Sequence, residues 1–183
     1  MQRLLPLLLL IFLVQSCIPI RIAPSIEDYK VTRGKKFKRS LSKRQMFIFE
    51  NPKDEHHFYD YVNTKYQLGH TNVYDDVPFE VDGTQYFFAW YEIEIQDKAL
   101  NLGPSLFNAF MNELLDSDDD SYISGPDVIL NGNWYIAVEV YSDTEKDCLQ
   151  DSSLSKEQVL NYLRALKKEY LSTHNYNEVV FKN

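Results

Sequence analysis

The stretch from Val77 to Ile95 constrains the fold most. Two strand-like runs, Val77 to Val81 and Thr84 to Ile95, are separated only by Asp82-Gly83. A two-residue loop of this type closes a tight hairpin, because both central residues take positive φ, which Gly adopts freely and Asp tolerates. In the second run Phe87, Ala89, Tyr91, Ile93 and Ile95 alternate with Tyr86, Phe88, Trp90, Glu92 and Glu94. A period of two puts these sets on opposite faces. One face is apolar throughout and the other turns from aromatic to acidic. Tyr86, Phe88 and Trp90 therefore lie either under a second packing layer or on a binding face, and the packing layer is the commoner arrangement.

The flanking segments supply the layers. Met46 to Glu50 has the length and composition of a short strand, and Val31 to Phe37 reads as an early edge strand protected by Gly34 and its lysines. Asn51-Pro52 predicts a helix start, with Asp54 and Glu55 in the first turn and Phe58, Tyr61, Val62 and Tyr66 on the buried face. Ser105 begins a second helical pattern through Leu106, Phe107, Phe110, Met111 and Leu114. Trp134 to Tyr141 is a strand entered at Asn131-Gly132. Ser155 and Gln158 form a capping-box pattern, with Leu154 placed to staple onto Val159, ahead of a helix that buries Val159, Leu163, Leu166 and Tyr170. Val179 to Phe181 is a candidate final strand.

This order predicts an α+β fold, an antiparallel sheet with helices. Its first six elements match the ferredoxin-like β-α-β-β-α-β arrangement, followed by a C-terminal helix. A content of 44% hydrophobic and 14% aromatic residues argues against a disordered chain. The expected organisation is residues 1–16 as a signal peptide, residues 17–44 as the lipid-attachment cysteine, a Pro-containing spacer from Ile18 to Pro24 and a basic juxtamembrane stretch, and residues 45–183 as one globular domain.

The N-terminus carries the address. Arg3 precedes an apolar run, Leu4 to Val14, that is shorter than the roughly 20 residues of a spanning helix. Leu13-Val14-Gln15-Ser16-Cys17 resembles the lipobox of bacterial lipoproteins, with the bulkier Gln15 where that family usually has a small residue. The resemblance covers residues 1–17 and implies cleavage before Cys17, lipid attachment to its thiol and acylation of the new amine. Ile18, where an inner-membrane retention signal has Asp, implies transfer to the outer membrane. Ordinary cleavage that leaves Cys17 a plain thiol is the alternative, and in that case Cys17 and Cys148 are able to form a disulfide. With Cys17 acylated, Cys148 is a lone thiol.

Charge is unevenly divided. Residues 17–44 hold nine basic residues, among them Lys35, Lys36, Lys38, Arg39, Lys43 and Arg44, against Glu27 and Asp28, whereas residues 45–183 hold 25 acidic against nine basic residues. Beside a lipidated terminus such a basic stretch suits anionic headgroups. A solvated linker, or a first strand paired with the acidic domain, explains it equally. Nucleic acid is not an expected partner of an acidic exported chain.

Between Asp116 and Asp127 the sequence resembles an EF-hand calcium loop. Asp116, Asp118, Asp120, Tyr122 by its carbonyl, Ser124 and Asp127 fall at the ligand positions. Ser121 replaces the turn glycine, Asp127 the bidentate Glu, and Pro126 intrudes, so an acidic surface loop is the other reading. His56 and Asp60 have a chelating spacing but no third ligand. No GxSxG, HExxH, P-loop or Cys-His signature is present. The expected role is a membrane-anchored envelope protein that needs no cofactor and interacts with an envelope protein partner. A ligand-binding module using Tyr86, Phe88 and Trp90 or a calcium-stabilised loop comes second, and a hydrolase with a carboxylate pair third.

Overall fold

The computed structural model describes residues 18–20, 23–101 and 127–177. The chain forms β1 (Ile18–Ile20), β2 (Lys30–Arg33), α1 (Gly34–Phe37), β3 (Gln45–Glu50), α2 (His57–Lys65), β4 (Val77–Val81), β5 (Thr84–Asn101), β6 (Asp127–Tyr141) and α3 (Lys156–Ser172). These make two compact units, Met1–Pro24 with Ile95–Asn133, and Ser25–Glu94 with Trp134–Asn183.

In the larger unit the strand order is β4-β5-β6-β3-β2, an antiparallel sheet flanked by helices, as the sequence pattern predicts. The finer ferredoxin-like expectation does not describe it. A split β-α-β unit has one strand between the two that its helix connects, whereas here both β5 and β6 separate β3 from β4. The Asp82-Gly83 turn forms as expected, with φ of 50° and 76°, and pairs Val81 with Thr84 through to Val77 with Phe88. Pro78 is tolerated because β4 is an edge strand, where a missing N–H breaks no ladder.

One sheet face carries Phe47, Phe49, Val77, Phe79, Tyr86, Phe88, Trp90, Ile136, Val138 and Val140, which join Phe58, Tyr61 and Val62 of α2 and Val159, Leu163, Leu166 and Tyr170 of α3 in one core. Tyr86, Phe88 and Trp90 are therefore core residues, at most 2% exposed, and not a binding face. Phe58 lies edge-on to Trp90, Tyr66 to Phe88, and Tyr162 stacks on Phe79. Such ring pairs contribute about 0.5–1.5 kcal/mol each beyond their buried area.

The opposite face is covered as well. Met46, Ile48, Ala89, Ile93, Tyr135 and Ala137 are buried there together with Leu41. The cover is the segment after β2, which turns into α1 at Gly34 instead of extending as a strand to Phe37. Gly34 N donates to Arg44 O at 3.0 Å and Lys35 N to Ser42 O at 2.9 Å, closing the segment on itself. Phe37 meets Tyr135 edge-on. The larger unit thus begins at Ser25, and the basic stretch of residues 30–44, expected ahead of a domain starting at residue 45, folds as part of it.

Helix boundaries also differ from expectation. α2 starts at His57, since Asn51 Oδ1 accepts from Lys53 N at 3.2 Å and holds residues 51–53 in a turn, and His56 enters the helix at φ 70°. Ser155 is already right-handed helical and its side chain caps nothing, so the capping box is not formed. Leu154 is 95% exposed and makes no staple. The four apolar residues expected on α3 are those buried. Asn131-Gly132 lies inside β6, not at its entry.

In the smaller unit β1 pairs antiparallel with the end of β5, Ile18 opposite Leu100. Ala23 N and Asn133 Nδ2 both donate to the Asp97 carboxylate, at 2.7 and 3.0 Å. No helix among the described residues is long and apolar enough to cross a membrane.

A Cβ on Gly34 meets Met46 Sδ at 2.7 Å, Ser42 O at 2.7 Å and Leu41 Cβ at 2.9 Å. Because one of these is backbone, Gly34→Ala is expected to destabilise the protein by about 1–3 kcal/mol in urea unfolding. A midpoint equal to wild type contradicts this packing.

Candidate functional site

The cationic segment is built around a buried anion. Glu139, on the face covered by residues 34–44, is 5% exposed. Ser42 Oγ donates to its Oε2 at 2.6 Å, and Tyr91 Oη and Arg44 Nη1 donate to its Oε1 at 3.2 and 3.4 Å. A buried carboxylate of this kind is tolerable only when its lone pairs are satisfied. Arg44, its side chain 40% exposed, is thus engaged at the edge of this face, over the Tyr141 ring as well as beside Glu139. Lys38 Nζ donates to Glu94 O at 3.1 Å.

The remaining charges point outward. Lys35, Lys36, Arg39 and Lys43 are exposed, as is Arg33 at the end of β2. None of the five makes an ion pair among the described residues. Arg33, Lys35, Lys36 and Lys43 line one open depression of about 570 Å³ with Gln45, Asp147 and Gln150. Asp147 is engaged internally, accepting from Gln45 N at 2.9 Å and Leu149 N at 3.2 Å. Five of the six basic residues singled out from sequence are therefore exposed, Lys38 among them although it bonds Glu94 O, and Arg44 is the half-buried one.

A second polar assembly lies where α3 ends. Lys53 Nζ donates to Tyr170 O at 2.5 Å and Thr173 O at 2.7 Å, and sits over the rings of Tyr170 and Tyr176. It caps orphan carbonyls at the negative end of the helix. Burial holds its ammonium below the ordinary lysine value. Tyr170 Oη donates to Asn51 Oδ1 at 2.8 Å, which directs Asn51 Nδ2 at Glu92 Oε1, 3.2 Å away. Sequence reading did not find this group, whose partners are 41 and 119 residues apart.

Other candidates resolve differently. His56 is exposed, while His57 Nδ1 is 3.0 Å from Tyr176 Oη. Among the described residues no three His, Cys, Asp or Glu side chains are grouped as a metal site. Cys17 and Asp116 to Ser124 lie outside the described residues, and Asp127 is the first residue of β6. Cys148 is a buried free thiol, pushed up to about 12 mainly by burial and then by Glu145. That is the opposite of an activated nucleophile. No family model, curated protein or solved structure matches this chain.

Two outcomes follow. Lys53→Met removes charge-assisted bonds to two carbonyls and is expected to cost about 1–3 kcal/mol in urea unfolding; an unchanged midpoint denies the capping role. Cys148 should resist alkylation at pH 8 in the native protein and react fast once unfolded. The sign follows from linkage. The folded thiol ionises near 12 against an ordinary 9.0, so its share of stability is intact below pH 9 and declines between 9 and 12. Fast native alkylation contradicts the burial.

Proposed function

We propose that this chain is a lipid-anchored protein of the bacterial envelope with a non-catalytic interaction or structural role. Its lipid is carried by Cys17 and the bilayer is the outer membrane. The observation that supports the reading is the display of Arg33, Lys35, Lys36, Arg39 and Lys43 on one folded segment near the N-terminus, while Arg44 and Lys38 are used to hold that segment down. A loose basic linker needs no such fixation. Two or three acyl chains hold a protein firmly, since each buried methylene contributes about 0.8 kcal/mol. The cations then add about 1 kcal/mol each against anionic headgroups and orient the domain.

Membrane fractionation tests the anchor. Wild type is expected with the membranes and Cys17→Ser in the soluble fraction; retention of Cys17→Ser refutes lipid anchoring. Full-length Cys17→Ser should still sediment weakly with anionic vesicles. The triple change Lys35→Glu, Lys36→Glu, Lys43→Glu should lower that affinity by at least about 100-fold, given about 1 kcal/mol per removed charge. Equal sedimentation of the two proteins rejects the cationic face.

A further inference from the structure

Along β5 lies a cavity of about 550 Å³ lined from both sheet faces, by Trp90 and Glu92 on one and by Ala89 and Tyr91 on the other. It begins where β5 runs past its hairpin partner, beyond Phe88. There the loop before β4 comes against the strand: Trp90 N donates to Tyr74 O at 3.0 Å and Trp90 Nε1 to Val73 O at 2.6 Å. Tyr74 stacks on Trp90 at 4.8 Å and also touches Tyr59, yet it is 50% exposed. An exposed ring braced on two others is an ordered aromatic surface. His56, Ala89, Tyr91, Trp134 and three carboxylates, Glu55, Asp75 and Glu92, complete the lining, which contains no Lys or Arg; the His56 ring faces Glu55, with Nε2 3.9 Å from its Oε1, and leaves Glu92 to its two neutral donors.

Glu92 is the informative member. It is half-buried, and its oxygens receive only neutral donors, Asn51 Nδ2 at 3.2 Å and His56 N at 3.5 Å. It makes no ion pair among the described residues. Lys53, near in sequence, is committed to the end of α3. Asn51 is itself fixed by Tyr170, so the carboxylate is held in place without a counter-charge. A partly desolvated anion beside an aromatic face is the combination that rewards a cation, and a soft organic cation more than a hard metal ion. Burial raises the Tyr74 hydroxyl above the ordinary tyrosine value, with Tyr59, Glu92 and Glu55 adding to it, consistent with a negative field at the rim.

We infer that this cavity binds an organic cation of the ammonium or guanidinium class, with Glu92 as counter-ion and the Tyr74 ring as its aromatic face. The cation is a free amine or the side chain of a basic peptide. The site stands independently of the membrane-anchoring reading.

The two tryptophans of the chain, Trp90 and Trp134, both line the cavity, so intrinsic fluorescence reports on it directly. Full-length protein in detergent is titrated with arginine amide, with its neutral isostere citrulline amide, and with a short acetylated Arg-Lys peptide amide. A saturable emission change is expected with the cations and not with citrulline amide. Glu92→Gln should weaken arginine amide binding about tenfold or more, and Tyr74→Leu severalfold. The double variant Glu55→Gln, Asp75→Asn changes rim residues only and should weaken binding about threefold, which decides the matter if Glu92→Gln does not fold. A peptide that binds more tightly than arginine amide assigns the basic-peptide source; equal affinity assigns the free amine. No saturable change, equal response to citrulline amide, or a folded Glu92→Gln protein that binds like wild type overturns the proposal.

Discussion

Phe58 is the contact on which the larger unit depends. Its ring lies edge-on to Trp90 at 4.8 Å and to Tyr170 at 4.9 Å, and it touches Phe49 and Tyr61. It therefore joins β5, α3, β3 and α2 at one point. The polar assembly near the end of α3 inherits its position from this contact. Tyr170 is held by Phe58, Asn51 by Tyr170, and Glu92 by Asn51. The sequence of constraints runs from an apolar core outward to Glu92, a carboxylate fixed by neutral donors and with no ion pair among the described residues.

The opposite face follows a related logic with reversed signs. There a buried anion, Glu139, holds a basic segment whose other charges are displayed. Arg44 and Ser42 bind Glu139 while Lys35, Lys36 and Lys43 stay in solvent. Gly34 lets the segment approach Met46 closely enough for this to occur. The basic stretch is thus a second packing layer and a charged surface at once, where the sequence left a membrane-facing stretch, a solvated linker and a strand paired with the acidic domain as alternatives.

What was legible in the sequence was local or strictly periodic. Asp82-Gly83 states its own turn, and the stripe Val159, Leu163, Leu166, Tyr170 states its own face. Tyr86, Phe88 and Trp90 could not be assigned to core or surface from alternation alone, since that depends on helices up to about 80 residues further along the chain. The late start of α2 reflects Asn51, whose side chain prefers its own turn to the helix that Pro52 suggests. The strand order was equally hidden, because pairing of β3 with β6 joins residues 47 and 138. The Asn51 and Glu92 assembly left no motif for the same reason.

In the proposed function, the segment from Arg33 to Lys43 is the side of the protein that meets an anionic bilayer. Amide hydrogen exchange on full-length protein reconstituted in anionic and in neutral bilayers tests it most directly. The account predicts slower exchange in anionic bilayers at the exposed amides of this segment, with the outer surface of α3 unchanged. Identical exchange in both bilayers, or protection confined to α3, contradicts it.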